Sequence, residues 1–178
     1  MRTLVEHLSN YADYHRDRRN IATHFVGIPV IVASVATLLS RPAIDVGGLP
    51  LSPAILVVGA FLAFYFALDL RFGLAMTAVM APAVAIGAML ARQETIVWLG
   101  AGIGMFVLGW IVQFVGHIYE GRKPAFVDDL IGLVVGPLFV VAETAFALGL
   151  RREVHDEIVR RSGPTRVGRP AAVTQPAA

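Results

Sequence analysis

The stretch Trp110–Pro124, WIVQFVGHIYEGRKP, decides how the rest of the chain reads. At about 100° per residue, Trp110, Gln113, His117 and Glu120 fall on one helical face, while the remainder of the run is mostly apolar. An amide, an imidazole and a carboxylate on a single stripe are costly in lipid, where nothing satisfies them. The stripe is therefore expected to face protein or a wet cavity.

Composition agrees with a membrane setting. Hydrophobic residues make up 56% of the 178-residue chain and charged residues only 16%, a balance far from that of soluble domains. The length allows one domain. No basic helix or aromatic platform is present, so no nucleic-acid partner is expected. The absence of cysteine rules out disulfides, thiolate-ligated haem and iron–sulfur clusters, and leaves nitrogen and oxygen ligands for any metal. The first 20 residues are polar and no small-residue cleavage site follows a short apolar run, which argues against a removable signal peptide.

Outward from the stripe, apolar runs at about 21–40, 52–70, 72–91 and 96–119 come close to the ~20 residues that a span needs. Thr3 and Glu6 have capping-box spacing and open a short helix too charged to enter a bilayer, expected at the membrane surface. A fifth apolar run, 126–150, is interrupted by Gly136 and Pro137 and carries Glu143. Basic residues decide whether it crosses. With four spans and a cytoplasmic N-terminus, the inside segments hold Arg2, Arg16, Arg18, Arg19, Arg71, Arg122 and Lys123, and the outside loops only Arg41 and Arg92. A fifth crossing would put every later arginine outside and abolish that bias.

The expected fold is thus all-α and integral to the membrane: four transmembrane helices plus a C-terminal re-entrant or interfacial helical hairpin broken at Gly136 and Pro137. The membrane domain covers 1–150. Residues 151–178 form a basic, Pro/Gly/Ala-rich cytoplasmic tail, expected to be unfolded from about Ser162. Both termini are expected in the cytoplasm, with a bacterial inner (plasma) membrane preferred over an internal one.

In this topology the start of the first span and the end of the fourth lie on one side, so His24 and His117 share a depth. His15 precedes His24 by nine residues, which on a continuous helix would point the two rings to opposite faces. They converge only if the chain bends, and 17–20 is the expected bend. Imidazoles suit Fe, Zn, Cu or Ni, and His117 with Glu120 has the His-x-x-Glu spacing that lets two side chains reach one metal. The bland readings are interfacial polar residues for His24 and His117, a surface residue for His15, and a solvated helix end for Glu120. For Glu143 the bland reading is an ion pair with Arg71 or Arg122. His7 and His155 lack supporting context, and Phe61, Phe64, Tyr65 and Phe66 read as lipid-facing packing.

Tyr14, His15, Asn20 and His24 with Gly27, Ile28 and Pro29 form the first of three recognisable blocks. Gln113, Phe114, Gly116, His117, Glu120, Lys123, Pro124 and Ala125 form the second, and Pro137, Leu138, Phe139 and Glu143 the third. Together they resemble the 2-hydroxy fatty acid dioxygenase family of yeast over about residues 4–150. The resemblance implies an Fe(II)-dependent membrane enzyme that shortens long-chain 2-hydroxy fatty acids by one carbon, the α-oxidation that turns phytosphingosine into odd-numbered fatty acids. It implies His15, His24 and His117 as catalytic iron ligands and matches Glu120 and Glu143 to acidic positions that are further candidates for the metal.

In that setting Arg122 or Lys123 would receive the substrate carboxylate, and Asn20 and Gln113 would orient the imidazoles. The implied partners are a 2-hydroxy fatty acid, O₂ and membrane lipid, and an oligomer is compatible with the sequence. The competing class is a non-catalytic membrane lipid- or metal-binding protein or a small transporter. A transporter should carry polar groups through the bilayer midplane, whereas these histidines gather at one edge.

Overall fold

The computed structural model describes residues 2–47 and 49–168. It is an all-α membrane architecture with one two-stranded hairpin in a loop. Helix α1 (Leu4–Ala12) is opened by the expected capping box: Glu6 N donates to Thr3 Oγ1 and Thr3 N donates to Glu6 Oε2. Helix α2 (Arg18–Leu38) is capped by Asp17, whose side chain accepts from Arg19 N. The strands β1 (Ile44–Val46) and β2 (Leu49–Leu51) pair antiparallel before α3 (Pro53–Leu68). Asp69 breaks the chain and caps α4 (Leu70–Ala91), and α5 (Thr95–Glu120) ends at Gly121, where φ is 71°.

Helices α2, α4 and α5 are long and apolar enough to cross a membrane, while α3 is shorter at 16 residues. The most extensive helix contact joins α2 to α5. The two run antiparallel, and a glycine every seventh residue of α5 lets the backbones approach. Gly102 meets Leu38, Gly109 meets Ile31 and Gly27, and Gly116 meets Thr23 and Asn20. Gln113, Gly116, His117 and Glu120 are buried on that seam, whereas Ile103, Leu108, Ile111, Phe114 and Ile118 face outward. The polar stripe does face protein.

After the short turn Ala125–Val127, α6 (Gly132–Ala147) is followed at a 114° bend by α7 (Arg152–Ser162). The expected hairpin within 126–150 is not formed; a sharp bend follows that run instead. Helix α6 runs straight through Gly136 and Pro137, and the chain turns at Gly149 (φ 74°) and Arg151 (φ 53°). Pro137 sits in the second turn, where only one hydrogen bond is at stake, whereas 149–151 lies where glycine and a left-handed residue reverse the chain. Both flanks of α6 are tied to the end of the bundle that carries α1, through Arg2–Asp129 (2.9 Å) and Arg151–Asp69 (2.9 Å). Helix α7 then packs on α1, which puts the described C-terminal residues on the same end as the N-terminus.

Two further expectations change. Tyr65 is fully buried, not lipid-facing, and its hydroxyl donates to the Val134 carbonyl at 2.7 Å. Residues 163–168, expected to be unstructured, are bonded into the fold. Arg166 N donates to Arg16 O and Arg18 N to Arg166 O, each at 2.8 Å, while Gly168 N donates to Asp17 Oδ2 at 2.9 Å. The rest of the expected tail, 169–178, lies outside the described residues.

Candidate metal centre

Three imidazoles meet at this end of the molecule. The antiparallel seam brings His24, near the start of α2, to the depth of His117, near the end of α5, with ring centroids 5.2 Å apart. His15 arrives from the linker between α1 and α2, which breaks at 13–17 rather than 17–20 because Asp17 already caps the second helix. Its ring centroid lies 4.4 Å from that of His24 and 5.0 Å from that of His117. One ring nitrogen from each of the three buried residues lies within 4.8 Å of the other two.

The hydrogen bonds assign the protons. His15 Nδ1 is 2.7 Å from the Tyr11 carbonyl oxygen and His24 Nδ1 is 2.8 Å from the Asn20 carbonyl oxygen. A carbonyl only accepts, so each Nδ1 carries its hydrogen and each Nε2 holds a bare lone pair. Those two Nε2 atoms are nevertheless 2.9 Å apart. Two lone pairs at that distance repel unless a cation sits between or beside them. His117 Nδ1 is also buried without a partner among the described residues. Burial first, then the neighbouring His24, holds His15 far below the ordinary imidazole range, so it is neutral, the form that binds metal. The donor set therefore fits a metal with nitrogen ligands.

Glu120 and Glu143 stand outside the imidazole group. Glu120 is 3% exposed and both oxygens are engaged. Oε2 accepts from Arg16 N (3.0 Å), Asp17 N (2.7 Å) and Asn20 Nδ2 (3.2 Å), and Oε1 from Arg166 (3.0 Å). Its carboxylate pins the linker that presents His15. Glu143 pairs at 3.9 Å with Arg16, not with Arg71 or Arg122. Arg16 spans the same region, donating from Nε to the carbonyls of Ala12 (3.0 Å) and His15 (3.1 Å) and from NH1 to that of Gly163 (2.9 Å).

Asn20 orients His24, but through its backbone carbonyl; its amide nitrogen serves Glu120 and the Tyr14 carbonyl. Gln113 bonds to no imidazole: it is 4% exposed and both polar atoms of its amide lack a partner. It lines an apolar cavity with Tyr11, His24 and His117. Arg122 and Lys123 line a different, solvent-side bowl, where Arg122 donates to the Asp13 carbonyl at 2.9 Å and Lys123 pairs with Asp128.

Three contributors lack a counterpart in the sequence reading. Tyr11 stacks on His15 with centroids 4.0 Å apart and planes within 3° of parallel. Its position four residues before His15 was a readable signal. So was the seven-residue spacing of Gly102, Gly109 and Gly116. Arg166 carries no local signal at all.

Comparison with known proteins covers the part of the chain that holds these residues. A family described as 2-hydroxy-palmitic acid dioxygenase Mpo1-like matches residues 1–148. The 2-hydroxy-palmitic acid dioxygenase MPO1 of Saccharomyces cerevisiae is 32% identical over 148 residues, covering 82% of each chain. No solved structure matches. The match ends before α7 and the segment that delivers Arg166, and it spans all three histidines. A family match over most of the length, with a relative above 30% identity, leads to one conclusion: the chain belongs to the 2-hydroxy-palmitic acid dioxygenase Mpo1-like family.

Proposed function

We propose that this protein is an Fe(II)-dependent dioxygenase that converts long-chain 2-hydroxy fatty acids to the acid one carbon shorter. The observation that carries the proposal is the pair of unprotonated Nε2 atoms of His15 and His24 at 2.9 Å, beside the unpartnered Nδ1 of His117. His15, His24 and His117 would hold the metal. Bound Fe(II) would supply the one-electron chemistry that lets O₂ react with a closed-shell acid, a role closed to Zn²⁺. The overall change balances without another reductant: RCH(OH)COOH + O₂ → RCOOH + CO₂ + H₂O, in which the acid gives up the electrons that O₂ takes.

The chain's own residues do the rest. The carbonyls of Tyr11 and Asn20 fix the tautomers of two ligands, which leaves Nε2 free on each. Glu120 holds the 15–17 linker by its backbone, so His15 is presented on a clamped segment. Tyr11, Phe139 and the walls of α2 and α6 exclude bulk water from the imidazoles. Gathering the histidines at one end of the bundle favours an enzyme acting on a lipid with its head at the membrane surface over a transporter. The bias of the basic residues supports a cytoplasmic position for that end of the bundle and for the termini, and an inner (plasma) membrane is the setting preferred for it.

The test is anaerobic reconstitution of detergent-purified protein with Fe(II), followed by assay on 2-hydroxypalmitate. One O₂ should disappear and one CO₂ appear for each pentadecanoate formed, and His117→Ala should abolish turnover. Equal turnover by the metal-free protein would refute the iron role.

A further inference from the structure

Beside the imidazoles lies a cavity walled by α2, α5 and α6, with His24, His117, Gln113 and Tyr11 at its inner end. Its remaining lining, including Ile31, Trp110 and Leu133, is apolar, and no Lys, Arg, Asp or Glu among the described residues contributes. Leu133 is 48% exposed, so the apolar side opens outward from the bundle. The amide of Gln113 is the anomaly here. It is 4% exposed and neither its oxygen nor its nitrogen has a partner among the described residues, a state that costs free energy unless a ligand completes it. Gly27 makes room for it: a β-carbon there would lie 2.8 Å from Gln113 Nε2.

From this geometry we infer that Gln113 reads the head of the substrate, and that the acid enters from the lipid side with its chain in the apolar cavity. This rests on the function proposed above and names the residue that selects a 2-hydroxy acid. An amide offers a donor and an acceptor side by side. A 2-hydroxy acid presents the complement on adjacent carbons: a carboxylate oxygen accepts from Nε2–H and the hydroxyl donates to Oε1. A simple fatty acid leaves Oε1 unpaired, and a site built to bond a hydroxyl rejects an analogue lacking it. The basic bowl does not serve this purpose, since Arg122 and Lys123 line it away from the imidazoles and are already engaged.

The experiment uses full-length Zn(II)-loaded protein in lipid nanodiscs, which binds without turnover, titrated with radiolabelled 2-hydroxypalmitate and palmitate. Gln113→Met, apolar and close in size, and Gln113→Glu, equal in shape, are compared with the parent. Both should weaken 2-hydroxypalmitate binding by roughly 10- to 100-fold, the loss of one or two hydrogen bonds to a charged group. On Gln113→Met palmitate loses its bond to Nε2 but is relieved of the unpaired Oε1, so its binding should change by less than about threefold, and zinc content should stay constant in both variants. Zinc lost in step with the acid would make Gln113 a residue that positions imidazoles, and unchanged 2-hydroxypalmitate affinity would remove it from recognition; either overturns the inference while the Fe(II)-reconstituted parent still turns over. Failure of the parent itself to bind and consume the acid would overturn the underlying function as well.

Discussion

Substituting Gly116 by alanine tests the α2–α5 seam where it sets the depth of two ligands. The added β-carbon would lie 2.0 Å from Thr23 Oγ1 and 2.4 Å from Asn20 Oδ1. Ordinary contact begins at 3.4 Å, so the neighbours must yield by more than 1 Å. Thr23 can rotate only by giving up its 2.7 Å bond to the Asn20 carbonyl, and Asn20 is held by Glu120 while its own carbonyl orients His24. The helices must therefore part. Overpacking of this kind costs about 1–3 kcal/mol, and disturbing a ligand's orienting partner weakens metal binding by about 10- to 100-fold. Gly100 on the same helix is the control, since nothing lies within 4 Å of a β-carbon there. Gly100→Ala should stabilise by up to about 1 kcal/mol through helix propensity alone. The assay is the thermal transition in one detergent, with metal content measured by mass spectrometry. Opposite signs are expected, and equal behaviour of the two variants would refute the role given to the seam.

Other expectations follow from the same contacts. Deleting residues 163–178 removes the Arg166–Glu120 pair and the backbone bridge to the linker, and should weaken metal binding by about 3- to 10-fold while circular dichroism keeps the helical signal. Asp17→Asn tests pH dependence. The Arg19 guanidinium, with the backbone N–H groups of Arg19 and Gly168, holds this carboxyl below its ordinary range. A carboxyl depressed in the folded state stabilises above its unfolded value of about 4 and loses that contribution as pH falls through the folded value. The stability gap between parent and Asp17→Asn should thus be full at pH 7 and shrink in acid, by denaturant titration at each pH. Tyr65→Phe leaves the buried Val134 carbonyl without its donor and should cost about 1 kcal/mol, lowering the transition by about 2–4 °C.

The helical membrane class was legible because hydrophobic runs and a polar stripe report the solvent directly. The shared depth of His24 and His117 followed from counting antiparallel spans. The convergence of His15 was legible as a condition, since nine residues of helix would have separated the rings and only a break joins them. The position of a break is decided by tertiary partners: Asp17 found a helix to cap, and Pro137 fell early enough in α6 to be absorbed. Glu120 looked like a ligand on spacing alone, because a helix wheel shows which face a carboxylate occupies but not which backbone amides wait across it. Gln113 lies on the buried face that its spacing gives it, but its amide reaches no imidazole. Arg166 was illegible because a composition rich in Gly and Pro says nothing of a carboxylate more than 40 residues away.

Helix α5 gives its seam to the histidines and its other faces, Ile103, Leu108, Ile111, Phe114 and Ile118, to whatever surrounds the protein. The wall behind His117 is therefore an outward-facing apolar surface that no other described helix covers. Whatever coats that surface sits one helix away from the centre, so bilayer thickness and the choice of detergent are expected to act on it as a mutation would.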